Sequence, residues 1–240
     1  MTIANNLITI STALNNIKGA IEAKGVTPSG DITTYATAIG NISGGGSSSK
    51  YQLLQRVTDD SNNEIGTVSG FFTDGNDVEY AVVCLDAQYR LDQGKYCGTS
   101  GPITNLPQYQ NQSIYSATET ATFNTQKILD FCTAQSTTST ACSHCRSKSF
   151  NIDGTTYYGQ LPNIVELIDI FRRRVGINSA DTSANSYPEL IVPTDMNVWS
   201  SSQFSDGNAW CVYYYGGVNS LLKNETIEVF PILEIPNANS

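Results

Sequence analysis

The chain of 240 residues is poor in charge, in histidine and in long apolar runs. Charged side chains make up 15%, with 13 Lys and Arg against 22 Asp and Glu, for a formal net charge of −9. Phosphate recognition needs clustered cations, so a nucleic-acid partner is not expected. No apolar run approaches the roughly 20 residues that span a bilayer, so membrane insertion is not expected either. The opening MTIANNLITISTALNN lacks a basic n-region and a long apolar h-region, which predicts folding in the cytoplasm of the producing cell.

Scarcity also limits catalysis. The single histidine, His144, would have to serve any Ser-His-Asp machinery, and no G-x-S-x-G elbow or phosphate-binding glycine loop is present. Glycan hydrolysis needs two carboxylates facing one another across a cleft. Asp153, Glu166, Asp195 and Asp206 are available, but no spacing joins them. TDGNDVE (73–79) lacks the full calcium-loop pattern and reads as a polar turn. In CSHC (142–145), Cys142, His144 and Cys145 could combine with Cys132 as four zinc ligands on paper. The Ser/Thr-rich flanks read as loop, however, and buried thiols or a local disulfide are expected there instead. The six cysteines, Cys84, Cys97, Cys132, Cys142, Cys145 and Cys211, form no dense framework and are expected to be mostly free and buried. No catalytic residue, metal or cofactor is expected.

What is present begins with periodicity. Ile3, Leu7, Ile10, Leu14, Ile17 and Ile21 are spaced 4, 3, 4, 3, 4, which is a heptad seam. Leu at a with Ile at d leans towards trimers or tetramers. Lys24 to Gly30 breaks this helix, a second short one is predicted over 32–42, and GGGSSS (44–49) is a flexible linker. The expected organisation is a helical attachment or oligomerisation segment (1–43), a linker (44–50) and a larger domain (51–240).

Within that domain YQLLQRV (51–57) and YAVVCLD (80–86) read as strands, with turn chemistry at Asp74-Gly75 between them. FNTQKILDFCTAQ (123–135) and LPNIVELIDIFRRR (161–174) read as helices. The second has Pro162 near its first turn and three arginines at its C-terminal end. VWSSSQ, NAWCVYYY and TIEVFPILEI read as strands. The order strands, helices, strands predicts an α+β fold with antiparallel sheets.

ILDFC, YYGQLPNIVEL, VWSSSQF, NAWCVYYYGG and a terminal VFPILEI occur in that order. Over 66–235 this combination resembles the C-type lectin-like domains of phage tail-tip and bacterial surface proteins. ALNNIKGAIEAKGV and YATAIGNI look similar to N-terminal attachment segments of phage tail fibre proteins. The same scaffold serves as the variable protein of diversity-generating retroelements, which display altered side chains near the C-terminus on a fixed backbone. The resemblance implies a phage or prophage tail-tip adhesin in the virion. Residues 1–43 would meet a tail or baseplate protein, in a homotrimer, and a C-terminal face would meet a host-cell receptor, protein or glycan. The alternative is a structural decoration or tail subunit whose Tyr-rich face is a subunit interface.

The residues add their own support. If NAWCVYYY is a strand, Trp210, Val212 and Tyr214 share one face and Cys211, Tyr213 and Tyr215 the other. The first face suits a core. The second, with its Ser, Asn and Gly neighbours, has the composition of antibody paratopes. The predicted ligand-binding surface is Ser205, Asp206, Asn208, Cys211, Tyr213, Tyr215, Asn219, Ser220, Leu221 and Leu222. Randomised Asn codons ending in a pyrimidine cannot encode Gln, Glu, Lys, Met or Trp. Between Phe204 and Asn224 only Trp210 and Lys223 fall in that group.

Overall fold

The computed structural model describes residues 49–110, 114–174, 177, 197–213 and 215–238, with Leu14, Asn15, Ile17, Lys18 and Glu22 nearer the N-terminus. The chain divides into two compact units, Met1–Lys50 with Ala238–Ser240, and Tyr51–Asn237. In the first, the five described positions before residue 49 are helical, and Lys18 pairs with Glu22 at 3.7 Å. The rest of the heptad seam, the helix predicted over 32–42 and the linker lie outside the described residues.

The second unit is α+β and mostly antiparallel. Strands β1 (Arg56–Thr58), β2 (Glu64–Thr73), β3 (Glu79–Leu85) and β11 (Ile232–Pro236) form a four-stranded sheet in the order β1-β2-β3-β11. Strands β4 (Leu91–Lys95), β7 (Val198–Gln203), β8 (Asn208–Val212), β9 (Val218–Leu222) and β10 (Thr226–Val229) form a second sheet, in the order β4-β10-β7-β8-β9. Among the described strands only β10 and β7 pair in parallel. A hairpin of β5 (Ser149–Ile152) and β6 (Thr155–Tyr158) forms a separate two-stranded sheet. Three α-helices are described: α1 (Ala121–Ala134), α2 (Thr140–Arg146) and α3 (Ile164–Arg172).

Period-2 alternation sends successive residues to opposite faces of each sheet, and each face meets a different core. From β3, Val82 and Cys84 point to a layer built with Leu167, Ile168 and Phe171 of α3, while Ala81, Val83 and Leu85 point to one shared with Ile152 of the hairpin. From β7, Val198 enters the α3 layer and Trp199 enters a third, formed with Ile128 and Cys132 of α1 and Cys142 and Cys145 of α2. Every residue of β7 is buried as a result. The run TIEVFPILEI is not one strand. It leaves the five-stranded sheet at Val229 and enters the four-stranded one at Ile232, across Phe230 and Pro231. Proline has no N–H for a ladder, so the break falls there.

Both longer helices start where cap chemistry places them. Thr120 accepts from Phe123 N at 3.0 Å ahead of α1. Asn163 and Glu166 form a reciprocal capping box on α3, so Pro162 stands just outside the helix. The turn at Asp74 is held by its own carboxylate, which accepts from Asn76 N at 2.8 Å and Val78 N at 3.0 Å.

Two further expectations are corrected. Residues 51–55 are not strand: Leu54 has φ 62, a left-handed backbone no strand contains, and pairing begins at Arg56. CSHC is not loop. Ser139 caps it by accepting from Cys142 N at 3.1 Å, and the i, i+3 spacing in α2 buries Cys142 and Cys145 together. His144 instead turns its Nε2 to Tyr89 O, 2.7 Å away. Cys132 joins no ligand set with them, because it forms a disulfide with Cys97. Cys84, Cys142, Cys145 and Cys211 remain free and buried, as expected of most of the cysteines.

Candidate binding face

Strands β8 and β9 close one side of the five-stranded sheet, with β9 outermost. Their pairing is unbroken from Asn208↔Leu222 to Val212↔Val218. The loop between them is tight: Tyr213 N donates to Gly217 O at 2.8 Å and Gly216 N to Tyr213 O at 2.7 Å. Gly216 has φ +86, which a side chain would strain. At the other end, Phe204 N and Ser205 N both donate to Asn208 O at 3.1 Å.

Residues opposite one another in an antiparallel pair share a face. Cys211, Tyr213, Asn219 and Leu221 therefore lie on the side of α1 and α2, while Asn208, Ser220 and Leu222 lie on the side of α3. The predicted surface is not one face of a strand. It is a rim that wraps the open edge of the sheet and the two turns beside it. On that rim Asp206, Tyr215 and Leu222 are exposed, Tyr215 at 61% and Leu222 at 49%. Ser205, Asn208, Tyr213, Asn219, Ser220 and Leu221 are half-buried. Tyr213 and Tyr215 pack with ring centroids 5.3 Å apart, and Asn219 Nδ2 donates to the Tyr213 hydroxyl.

Cys211 does not belong there. Its exposure is 0%, it packs in the same layer as Trp199 and Ala209, and burial pushes its thiol up to about 12. Alternation correctly separates Cys211 from Trp210, but α1 and α2 cover the face expected to be open. Val212 points inward and is fully buried, as expected. Trp210 is only half-buried, edge-on to Phe204 at 4.9 Å, whereas Trp199 is the fully buried tryptophan, its indole N–H donated to Gly94 O at 2.9 Å. Tyr214 lies outside the described residues.

A buried polar frame holds the rim. Lys223, with 0% exposure, donates to Gln203 Oε1 at 2.5 Å and Gly101 O at 2.8 Å. Gln203 Oε1 also accepts from Ile103 N, and its Nε2 donates to Leu106 O. The 205–208 turn is tied to the same loop: Gly101 N donates to Asp206 O at 2.8 Å, and Gln108 Nε2 to Asp206 Oδ1 at 2.6 Å. Gln203, Gln108 and the 101–106 backbone are positioning groups that sequence reasoning missed. Lys223 carried a signal, as one of two residues in its segment outside the Asn-codon set. Among the described residues no group of three or more His, Cys, Asp or Glu could hold a metal ion.

No protein-family model matches the chain, and no curated protein matches it. Among solved structures, a fimbrial protein from Bacteroides ovatus is similar at 13% identity and a TM-score of 0.48. The match covers 77% of this chain and 49% of the fimbrial protein, so the chain spans about half that protein's length.

Proposed function

We propose that this protein is a phage or prophage tail-tip adhesin whose C-type lectin-like domain binds a host-cell receptor through the rim of β8 and β9. The observation that carries the reading is the contrast between rim and frame. Asp206, Tyr215 and Leu222 stand exposed, while Gln203, Cys211, Val212 and Lys223 directly beneath or beside them have no exposure at all. Such a rim can change its side chains without disturbing the core. Tyrosine supplies rigid contact area and Asp, Ser and Asn supply adaptable hydrogen bonds, the chemistry of paratopes. In this reading residues 1–43 attach the chain to the tail and assemble it as a homotrimer.

The subunit-interface alternative draws on one feature. β9 is an outer strand with no proline, charge or bulge within Val218–Leu222, and such edges invite pairing with another chain.

The deciding experiment is adsorption of purified protein to host cells, with the triple variant Asp206→Ala, Tyr215→Ala, Leu222→Ala compared with wild type. Loss of adsorption with unchanged melting and unchanged oligomeric state supports the adhesin. Unchanged adsorption overturns the rim as receptor site. Loss of assembly instead supports the interface reading.

A further inference from the structure

Strand β9 leaves one side of its backbone without a partner. Tyr213 N donates to Gly217 O at 2.8 Å and Lys223 N to Gly207 O at 3.0 Å, at the two ends of the β8–β9 ladder. Bonded and non-bonded pairs alternate along an antiparallel ladder. The register runs from Asn208↔Leu222 to Val212↔Val218, so Asn219 and Leu221 turn their backbone groups to β8, while Val218, Ser220 and Leu222 turn theirs outward. Leu222 O is taken by Glu225 N at 2.9 Å. Among the described residues nothing pairs with the N–H groups of Val218, Ser220 and Leu222, or with the carbonyls of Val218 and Ser220.

Proteins usually blunt such an edge with charge, proline or a bulge. β9 reads VNSLL, has none of these, and pairs with β8 without a register shift. Its outward donors and acceptors recur every second residue, roughly 6.8 Å apart. Another extended backbone repeats its own groups at that spacing and can bond along the whole edge. A sugar ring can meet the edge at one point only.

Charge marks one end of the edge. Asp206 in the 205–208 turn and Glu225 just after β9 are both exposed at the Leu222 end, and Lys223 lies beneath them with no exposure. Along the strand itself, Val218, Ser220 and Leu222 on one face and Asn219 and Leu221 on the other are all neutral. A charged side chain laid against them would lose water without gaining a counter-ion. We infer, on the adhesin reading, that the receptor is a protein held as an extended segment added to β9, uncharged where it pairs and carrying a Lys or Arg beside Asp206 and Glu225.

A second copy of the chain fits this edge less well. An antiparallel pair of β9 strands about Ser220 sets the Leu222 end of each copy beside the 213–217 loop of the other. That loop, YYYGG, has no Lys or Arg to meet Asp206 and Glu225. Each copy also carries a formal net charge of −9, so like charge opposes the approach. A neutral segment ending in a cation has neither disadvantage.

The probe is a synthetic bead library of octapeptides screened with the full chain, the affinities of selected peptides then being measured in solution. Selected peptides are expected to hold a neutral, β-prone stretch with a Lys or Arg at one end. Methylating their backbone nitrogens one at a time is expected to weaken binding about tenfold or more at every second residue and little in between. Ser220→Pro deletes the central outward N–H and spares the β8 ladder, since an edge strand tolerates proline where its nitrogen faces solvent. It is expected to weaken the same peptides about tenfold or more with melting unchanged. If that variant does not fold, the methylation scan carries the test, because it leaves the protein unaltered. A screen without binders, methylation effects without a two-residue period, or full binding by folded Ser220→Pro would overturn the inference. So would a dimer of the full chain that Ser220→Pro dissociates, which assigns the edge to a second copy. Host-cell adsorption that survives proteinase treatment of the cells and is lost on periodate oxidation would overturn it too, while leaving the adhesin reading standing. The adhesin reading fails on a different result, unchanged adsorption of the rim triple variant.

Discussion

Lys223 donates to Gln203 Oε1 at 2.5 Å from a position with no solvent exposure. The bond crosses from the end of β9 to the end of β7, and the same ammonium reaches Gly101 O. Three chain segments remote in sequence are held by one cation. An unpaired buried charge is costly, so each partner is needed for the others to remain buried.

That arrangement has a pH signature. Burial lowers the Lys223 pKa to about 8, with the nearby Asp206 charge opposing the shift. A free lysine titrates near 10.4. Between those values the unfolded chain holds a proton the folded chain has released, so this group makes stability rise with pH. Lys223→Met removes the titration. Denaturant melts at pH 7.5 and pH 10 are expected to show the difference between wild type and variant growing in favour of wild type by about 1–3 kcal/mol. A difference that is flat or shrinks would refute it.

A carboxyl on α3 should behave in the opposite sense. Burial, followed by the negative charge of Glu234, raises the Glu166 pKa well above the usual carboxylate range. Glu234 is fixed there because it accepts from Ala121 N, Thr122 N and the Thr122 hydroxyl at the start of α1. A raised acid stabilises the fold fully below its unfolded pKa, near 4.3, and that contribution is lost as pH rises towards the folded pKa. Glu166→Gln needs no proton, and its amide oxygen still accepts from Asn163 N as the carboxylate does at 2.7 Å. The variant is expected to match wild type near pH 4 and to exceed its stability at pH 8, where the wild-type carboxyl is driven to ionise in its buried place. Equal slopes of stability against pH in the two proteins would refute the assignment.

The Cys97–Cys132 disulfide spans 35 residues. A loop of that length restricts the unfolded chain by about 3–4 kcal/mol on the chain-entropy account. Reduction, or Cys97→Ser with Cys132→Ser, is expected to lower the melting temperature by on the order of 10 °C. Calorimetry with and without dithiothreitol measures it, and identical melts would show that the link contributes nothing.

Local signals made much of this fold legible. Helices predicted over 123–135 and 161–174 are found at Ala121–Ala134 and Ala-free Ile164–Arg172, because apolar spacing and cap residues agree there. β7 was readable from VWSSSQ, and the Asp74 turn from its Asp-Gly chemistry. Less was legible where partners are distant. Helix α2 hides in STACSHCR because seven residues, with only Ala141, Cys142 and Cys145 apolar, carry almost no period, and the buried side of Cys142 and Cys145 is defined only by the sheet beneath. Alternation separated Cys211 from Trp210, but it cannot tell that helices cover one face and leave an edge open. The Lys223 frame depends on loop 101–106, more than a hundred residues away in sequence.

The two tryptophans test the site and the core together. Trp199 is fully buried, edge-on to Tyr96 at 5.8 Å and bonded to Gly94 O. Trp210 is half-buried under Phe204, and Tyr215 is exposed on the rim. Truncating a buried large aromatic costs about 3–5 kcal/mol, while exposed sites away from special features stay within about 0.5 kcal/mol. Trp199→Ala is therefore expected to cost about 3–5 kcal/mol, Trp210→Ala a smaller amount, and Tyr215→Ala about 0.5 kcal/mol or less. Tyr213→Ala should fall between the last two, because it also removes the hydroxyl that accepts from Asn219. Urea melts of the four variants give the order. If Tyr215→Ala costs as much as Trp199→Ala, the tyrosine is part of the packed frame, and the rim loses the residue best placed to meet a receptor.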